Sequence, residues 1–249
     1  MTRRTCALAL VLTLATCGST RAQSTPMARI PAGSYLPLFA EGGHRVAVQA
    51  FRLDVYPVTR AQYAAFVAAH AEWRRSAVHV RGYLAEWESD VKFGDASDAR
   101  RPVTSVTQGA AAAYCAAQGK RLPRLDEWEY VAGASAARRD GSADPSFRQL
   151  ILNLYTRSRP TRAPLVGSGF MNAFGISDMH GVVWEWVAPE HHMNMMMPDG
   201  RPHDLSCAGS ANGASDPTSF AAFLRYAYRS GLNASSTVTN LGFRCAGTV

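Results

Sequence analysis

The second half of the chain is interrupted by turn-forming residues so often that it cannot consist mainly of long helices. From residue 134 onward Gly, Asn, Ser and Pro recur every few residues, and these residues favour turns and loops. A loop-rich chain needs fixed cross-connections, which can be disulfides, bound ions or dense turn hydrogen bonds. The 249 residues are 47% hydrophobic and contain no linker, so we expect one globular domain and exclude a disordered chain, a collagen and a coiled coil.

Regular elements are predicted mainly in the first half. Residues 59–62, Thr-Arg-Ala-Gln, form a capping box that begins a helix. A second helix is predicted to begin near 107 and end at Gly119, and a third follows Pro123 and ends at Gly133. Residues 71–101 are polar and irregular and predict a loop with surface aromatics. Strands are predicted within 27–38 and at 46–51.

The N-terminus has the pattern of an export signal. Residues 1–4 are basic, and residues 6–15 are apolar but too few to span a bilayer. Small residues at both ends of the triplet 20–22 predict cleavage after 22 and a soluble chain. The alternative is a lipobox at 14–17, which would acylate Cys17 and give an outer-membrane lipoprotein. Because Thr rather than Gly, Ala or Ser precedes that cysteine, we favour a signal peptide over 1–22 and a periplasmic or secreted protein.

The net charge of +7 does not indicate a nucleic-acid partner. All but two of the 26 basic residues are arginines, and they are scattered rather than clustered with aromatics. Removal of residues 1–22 would take away three arginines and no acid, which leaves +4. No stretch after residue 22 approaches the 18–20 apolar residues of a membrane span.

Three cysteines remain after the signal, at 115, 207 and 245. In an oxidising compartment two of three are expected to pair, which leaves one thiol over. The number of cysteines alone does not choose the pair.

Five sequence blocks occur in order across nearly the whole chain after residue 26. They are Met-Ala-Arg-Ile-Pro-Ala-Gly-Ser-Tyr at 27–35, Asp-Val-Tyr-Pro-Val-Thr-Arg-Ala-Gln-Tyr-Ala-Ala-Phe at 54–66, Ala-Tyr-Cys-Ala-Ala-Gln-Gly-Lys-Arg-Leu-Pro-Arg-Leu-Asp-Glu-Trp-Glu-Tyr at 113–130, Asn-Ala-Phe-Gly-Ile-Ser-Asp-Met-His-Gly-Val-Val-Trp-Glu-Trp at 172–186, and Asn-Leu-Gly-Phe-Arg-Cys at 240–245. Together they resemble the formylglycine-generating enzyme (sulfatase-modifying factor) family. The resemblance implies a single domain over 27–249 with that family's α+β fold, which is C-type-lectin-like and loop-rich.

The resemblance also implies a disulfide. The family joins its Ala-Tyr-Cys helix to its Gly-Phe-Arg-Cys end, which corresponds to Cys115 and Cys245 here. Such a bond closes a loop of about 130 residues, worth about 5 kcal/mol in the chain-entropy model. Cys207 would then be the free or partner-facing thiol.

A calcium site is implied in the fourth block. The family's ligands correspond to the side chains of Asp178 and Glu185 and the carbonyls of Gly181 and Val183, and oxygen donors of this kind suit calcium. The alternative is an N-terminal cap together with a buried, paired glutamate. On the resemblance we favour calcium, and we interpret His180 in the same block as structural.

The segment expected to carry the family's oxidase chemistry has no thiol. The oxidase holds copper with two cysteines before the closing Gly-Phe-Arg, because Cu(I) prefers soft, charged ligands. Counting back from Asn240 places that pair near Asp216 and Ala221, and residues 209–230 contain no cysteine. We therefore expect that formylglycine-forming activity is absent.

One segment offers other donors for copper. Imidazole and thioether groups suit copper in an oxidising compartment, and the alternative is a hydrophobic loop in which flexible methionines fill gaps. The candidate copper ligands are His191, His192, Met193, Met195, Met196 and Met197. Segments 207–211, 220–230 and 237–245 also resemble a narrower branch of exported proteins without the catalytic cysteines, some encoded beside copper nitrite reductases and thought to assist them.

Two functions are weighed for this chain. The favoured one is a periplasmic binding or maturation factor for a protein client, in which a peptide groove is flanked by Trp184, Arg225, Tyr226 and Arg229. The residue types Trp, Tyr and Arg frequently anchor interfaces. The alternative is a metal-dependent oxidative enzyme of the same fold. The missing cysteine pair favours the first.

Overall fold

Short strands and helices alternate with long loops along the chain. A computed structural model describes residues 25–40, 43–158, 160, 162–189 and 219–249. The strands are β1 (Met27–Ile30), β2 (Gly33–Tyr35), β3 (Val46–Val48), β4 (Phe51–Asp54), β5 (Trp184–Glu185), β6 (Leu241–Gly242) and β7 (Ala246–Gly247). The helices are α1 (Arg60–Ala69), α2 (Gln108–Ala117), α3 (Leu125–Ala132), α4 (Pro145–Thr156) and α5 (Phe220–Ser230). This content is that of the expected α+β fold.

Three small sheets connect distant parts of the sequence. Strands β1, β4 and β7 form an antiparallel sheet in which Leu53 lies between Ala28 and Ala246. Strands β2 and β3 form an antiparallel pair, and β5 and β6 form a parallel pair that aligns Trp184 with Leu241. The last pair brings the fourth and fifth sequence blocks side by side.

The first three helices begin and end where the sequence predicts. The Thr59 hydroxyl accepts a hydrogen bond from the Gln62 amide, and the Gln62 side chain accepts one from the Thr59 amide, which completes the capping box. Thr107 caps α2 through its hydroxyl alone, which accepts from the Ala110 backbone amide. Gly119, with φ of +68°, follows the end of α2, and Gly133 follows α3.

The expectation that long helices stop at residue 134 is wrong. Helix α4 has 12 residues and begins at an Asp-Pro start signal, in which the Asp144 carboxylate accepts from the Ser146 and Phe147 amides. Helix α5 has 11 residues, none of them Gly or Pro. Frequent turn residues elsewhere in this half obscure two segments that meet the ordinary requirements of a helix.

The expectation of surface aromatics within 71–101 is wrong for its largest members. Tyr83 and Trp87 are buried in the first hydrophobic core, and the Tyr83 and Tyr63 hydroxyls are 2.7 Å apart. The single strand predicted at 46–51 is also wrong, because residues 49–50 separate two strands, β3 and β4.

Among the described residues, two large hydrophobic cores and a smaller cluster around Phe147 support the domain. The first packs α1 and α2 around Tyr63, Tyr114 and Phe243, and the second surrounds Trp128 and Leu53. Cys115 and Cys245 form a disulfide in the first core, with Cα atoms 5.6 Å apart, as the resemblance implies. Within the described ranges, none of the helices has the length and apolar character that a bilayer crossing requires.

Candidate functional site

A cavity of about 530 Å³ opens beside Trp184. Its walls come from the start of α1, the end of α4, the turn 181–184 and Asn240. Strand β5 positions Trp184, because the Trp184 amide donates to the Asn240 carbonyl at 2.9 Å. Trp186 follows the end of β5 and is buried in the core, where its indole N–H donates to the Val106 carbonyl.

The Trp184 ring is held between two tyrosines. Its centroid lies 4.2 Å from that of Tyr228 and 4.9 Å from that of Tyr155, and both pairs are close to parallel. Offset stacks of this kind stabilise aromatic pairs beyond their buried area. The half-buried indole is therefore a fixed wall of the cavity.

A buried carboxylate lies among arginines in the lining of the same cavity. Asp98 accepts from Arg101 at 2.6 Å and from Arg162 at 2.7 Å, and Arg60 lies 4.0 Å away. Burial alone would raise the pKa of Asp98, but these guanidinium partners lower it below the ordinary value. Asp98 is therefore ionised and fixes the arginines.

The two carboxylates of the predicted calcium site have protein partners. Glu185 is fully buried and accepts from the Arg244 guanidinium at 2.7 and 2.8 Å and from the Trp128 indole N–H at 2.7 Å. Asp178 accepts at its two oxygens from the backbone amides of Gly167 and Gly169. The structure thus has the paired glutamate of the alternative interpretation, whereas Asp178 accepts from loop amides and caps no described helix.

The remaining predicted ligands lie in the turn between these carboxylates. The Gly181 carbonyl accepts from Arg157 at 2.8 Å, and Gly181 and Val183 both line the cavity. As arranged here, the side chains do not offer calcium a set of free oxygens, and a guanidinium adjoins Glu185. Calcium binding stays a prediction from the resemblance.

Replacement of Glu185 by Gln tests whether this carboxylate pairs with Arg244 or binds calcium. The variant leaves the buried Arg244 charge without its counter-ion, so we expect a loss of about 3–5 kcal/mol in unfolding free energy. Chemical denaturation with calcium and with a chelator should give the same loss. The exposed pair Glu88–Lys92 supplies the control, since Glu88→Gln should change stability by less than about 0.5 kcal/mol. A loss seen only with calcium would contradict the ion-pair assignment.

The predicted groove residues do not lie together. Arg225, Tyr226 and Arg229 are buried in α5 and line a separate cavity of about 180 Å³, whereas Trp184 lines the larger one. Arg225 donates to Glu129 at 2.7 and 3.0 Å, and Arg229 donates to it at 2.5 Å. We therefore interpret the two arginines as structural partners of Glu129.

Burial alone would raise the pKa of Glu129, but Arg225 and Arg229 hold it at about 2. The folded-state value thus lies below the ordinary 4.5, so the stabilisation is complete above pH about 4.5 and is lost as pH falls toward 2.

Acid denaturation tests this pair. The wild-type protein should lose about 3 kcal/mol through Glu129 over that interval, and Glu129→Gln should lack this part of the pH dependence although it is less stable at neutral pH. Equal pH slopes in the two proteins would contradict the assignment.

His180 occupies a buried polar network, in agreement with its structural interpretation. Its Nε2 lies 2.9 Å from the Ala132 carbonyl, which can only accept, so Nδ1 accepts from the Tyr155 hydroxyl at 2.6 Å. Burial, reinforced by the Arg225 charge, lowers the pKa of His180 to about 3. The imidazole is therefore neutral and links α3 to α4.

Several predicted positions lie outside the described residues. They are His191, His192, Met193, Met195, Met196, Met197, Cys207 and Asp216. Ala221, the other position inferred for the catalytic pair, is buried in α5. Within the ranges that the structure describes, no three His, Cys, Asp or Glu side chains are grouped so that they could hold a metal ion.

Sequence reasoning missed the arginines that line the larger cavity. These are Arg60, Arg101, Arg157 and Arg162. Arg60 follows the Thr59 cap inside the second block, so its place at a helix start could have been inferred. The other three lie outside all five blocks, and nothing local distinguishes them from surface arginines.

Comparison with known proteins agrees with this architecture. The family model described as "Sulfatase-modifying factor enzyme 1-like domain" matches residues 15–249. The chain therefore belongs to this family, the one that its five blocks resemble. The match begins inside the segment predicted to be a signal peptide.

Curated relatives carry two kinds of name. The "Formylglycine-generating enzyme" of Mycobacterium tuberculosis is 28% identical, over 81% of this chain and 89% of its own length. The "Inactive C-alpha-formylglycine-generating enzyme 2" of Mus musculus is 26% identical, over 90% of this chain and 86% of its own length. Membership of the family alone thus does not decide whether this chain is an oxidase.

Solved structures share the fold at low identity. PvdO from Pseudomonas aeruginosa has a TM-score of 0.52 and 22% identity, and covers 90% of this chain and 95% of its own. CarF has a TM-score of 0.53 and 16% identity, with 90% and 98% coverage. These similarities support the fold alone.

Proposed function

We propose that this protein is an exported, non-oxidase member of its family that binds a segment of a protein client in the cavity beside Trp184. The observation that carries the proposal is the absence of cysteine from residues 209–230, combined with an aromatic-walled cavity that remains in the fold. The role is that of a binding or maturation accessory factor.

The chemistry of the family's oxidation argues against its retention here. Oxidation of a cysteine by oxygen in the family depends on copper, and thiolates are the soft donors that Cu(I) prefers. Ala221 has no donor atom and is buried among apolar neighbours of α4 and α5, so copper does not fit this position. No catalytic step is assigned to the chain.

The cavity supports binding without chemistry. Trp184 is held rigidly by Tyr155 and Tyr228, so a ligand that packs on the indole would not have to order it. Pre-organised aromatic side chains of this type frequently dominate peptide and protein interfaces. We therefore assign the indole as the anchor for the client segment.

The signal peptide predicted over 1–22 supports a client in the periplasm or outside the cell. The similarity of 207–211, 220–230 and 237–245 to proteins encoded beside copper nitrite reductases makes a copper enzyme one candidate client. Attachment through Cys17 would place the same activity at the outer membrane.

An assay of turnover tests the non-oxidase part of the proposal. Purified protein is mixed with a sulfatase-type cysteine peptide, Cu(I) and oxygen, and mass spectrometry follows the cysteine. We expect no formylglycine, because the chain lacks the thiolate pair, while the Mycobacterium tuberculosis relative serves as positive control. Multiple turnovers would establish the alternative, a metal-dependent oxidative enzyme, with His191, His192 and Met193–Met197 as the first candidate ligands.

Peptide selection tests the binding part. Dodecapeptides displayed on phage are selected on the wild-type protein and measured on variants by fluorescence anisotropy. We expect Trp184→Leu to weaken binding by about tenfold or more, as loss of an interface anchor does. Trp73, a half-buried tryptophan of the first core that does not line the cavity, provides the matched control. Equal binding by Trp184→Leu and wild type would contradict the site.

A further inference from the structure

The cavity beside Trp184 has more arginines than carboxylates in its lining. Arg60, Arg101, Arg157 and Arg162 contribute four positive charges, and Glu86 and Asp98 contribute two negative ones. The formal charge of the lining is therefore +2. Asp95, which is largely exposed, lies 3.7 Å from Arg162 outside the lining and offsets part of this charge through solvent.

The arginines are fixed in place rather than free to turn away. Asp98 is buried and holds Arg101 and Arg162 by hydrogen bonds. Its own position is constrained by Gly94, where a Cβ atom would lie 2.5 Å from the Asp98 Oδ2 atom and where φ is +106°. One carboxylate cannot neutralise several guanidinium groups, so positive charge remains at a defined place.

Arg60 retains donor capacity. It donates to Glu86 at 2.5 Å and to the Phe93 carbonyl at 3.2 Å, but its buried Nε has no hydrogen-bond partner among the described residues. Buried donors in proteins are nearly always satisfied by protein groups or by ordered water, and this Nε is too buried to meet a ligand without rearrangement. The neighbouring Arg162, by contrast, is about half exposed and can meet a ligand directly.

Apolar surface faces the same space. Leu154, Pro164 and Val183 line the cavity together with the Trp184 and Tyr155 rings. The ligand should therefore combine an apolar portion for this wall with an acceptor for the arginines. Guanidinium groups bind carboxylates through paired N–H donors, and enclosure strengthens such charge-assisted bonds.

We propose that this cavity selects an acidic peptide segment, in which an apolar residue packs on Trp184 while neighbouring Asp or Glu side chains pair with Arg157 and Arg162. This inference rests on the proposed function, because it specifies the chemistry of the client segment. Two carboxylates would balance the formal charge of the lining.

The test uses three fluorescein-labelled peptides with the same Leu-Tyr centre. One is flanked by Glu, one by Gln and one by Lys, and anisotropy is measured at about 0.05 M and about 0.5 M salt. We expect the Glu peptide to bind at least ten times more tightly than the Gln peptide at low salt, with a smaller ratio at high salt because of screening. The Lys peptide should bind most weakly.

Arginine variants locate the effect. Arg157→Gln with Arg162→Gln should remove the preference for Glu over Gln, measured within that variant as the ratio of the dissociation constants of the two peptides. The matched control is Arg52→Gln with Arg138→Gln, which alters the same charge at exposed positions outside the cavity and should retain most of the preference. Circular dichroism confirms that both double variants are folded.

The outcomes separate this inference from the proposed function. Binding of all three peptides with similar affinity, still dependent on Trp184, would overturn the acidic preference and leave the binding site standing. An equal loss of preference in the control pair would assign it to overall charge and also overturn the inference. If none of the peptides binds and phage selection also fails, the proposed function fails, and the inference falls with it.

Discussion

The ion pair between Arg244 and Glu185 is the interaction on which the rest of the structure depends. Both side chains are fully buried, and the guanidinium also donates to the carbonyls of Asp54, Val55 and Ser177. Burial of two charges is costly unless their partner sets are complete. Those partners come from β4, the loop before Asp178 and β5. Since the buried charges are stable only when all their partners are in place, the ion pair holds these separate segments in one arrangement.

The same pair positions the candidate site. With the Glu185 side chain fixed inside, alternation along β5 places Trp184 at the cavity. The Trp128 indole bonds to Glu185 on one side of α3, and the Arg229 guanidinium lies 4.5 Å over the Trp128 ring. Arg229 in turn donates to Glu129. The Arg244–Glu185 ion pair is therefore connected through Trp128 to α5 and the smaller cavity.

Local signals explain what could be predicted from the sequence, and long-range partners explain what could not. Thr59 and Thr107 mark helix starts within a few residues, and the block match identifies the disulfide partners. The sequence predicts Arg225 at a peptide groove because arginine frequently anchors interfaces. Its partner Glu129 is 96 residues away, and no local pattern connects them. The sequence predicts surface aromatics within 71–101 because this segment is polar and irregular, and no local pattern shows that Trp87 packs against Tyr63 of α1.

Metal analysis of the protein purified from the periplasm tests the central claim most directly, namely that this member of the family binds without redox chemistry. Copper, iron and calcium are quantified together, and unfolding is measured before and after chelation. The account predicts copper and iron far below one atom per chain, with any fall in unfolding temperature on chelation caused by the loss of calcium alone. One copper per chain that survives purification and supports oxygen consumption would contradict it.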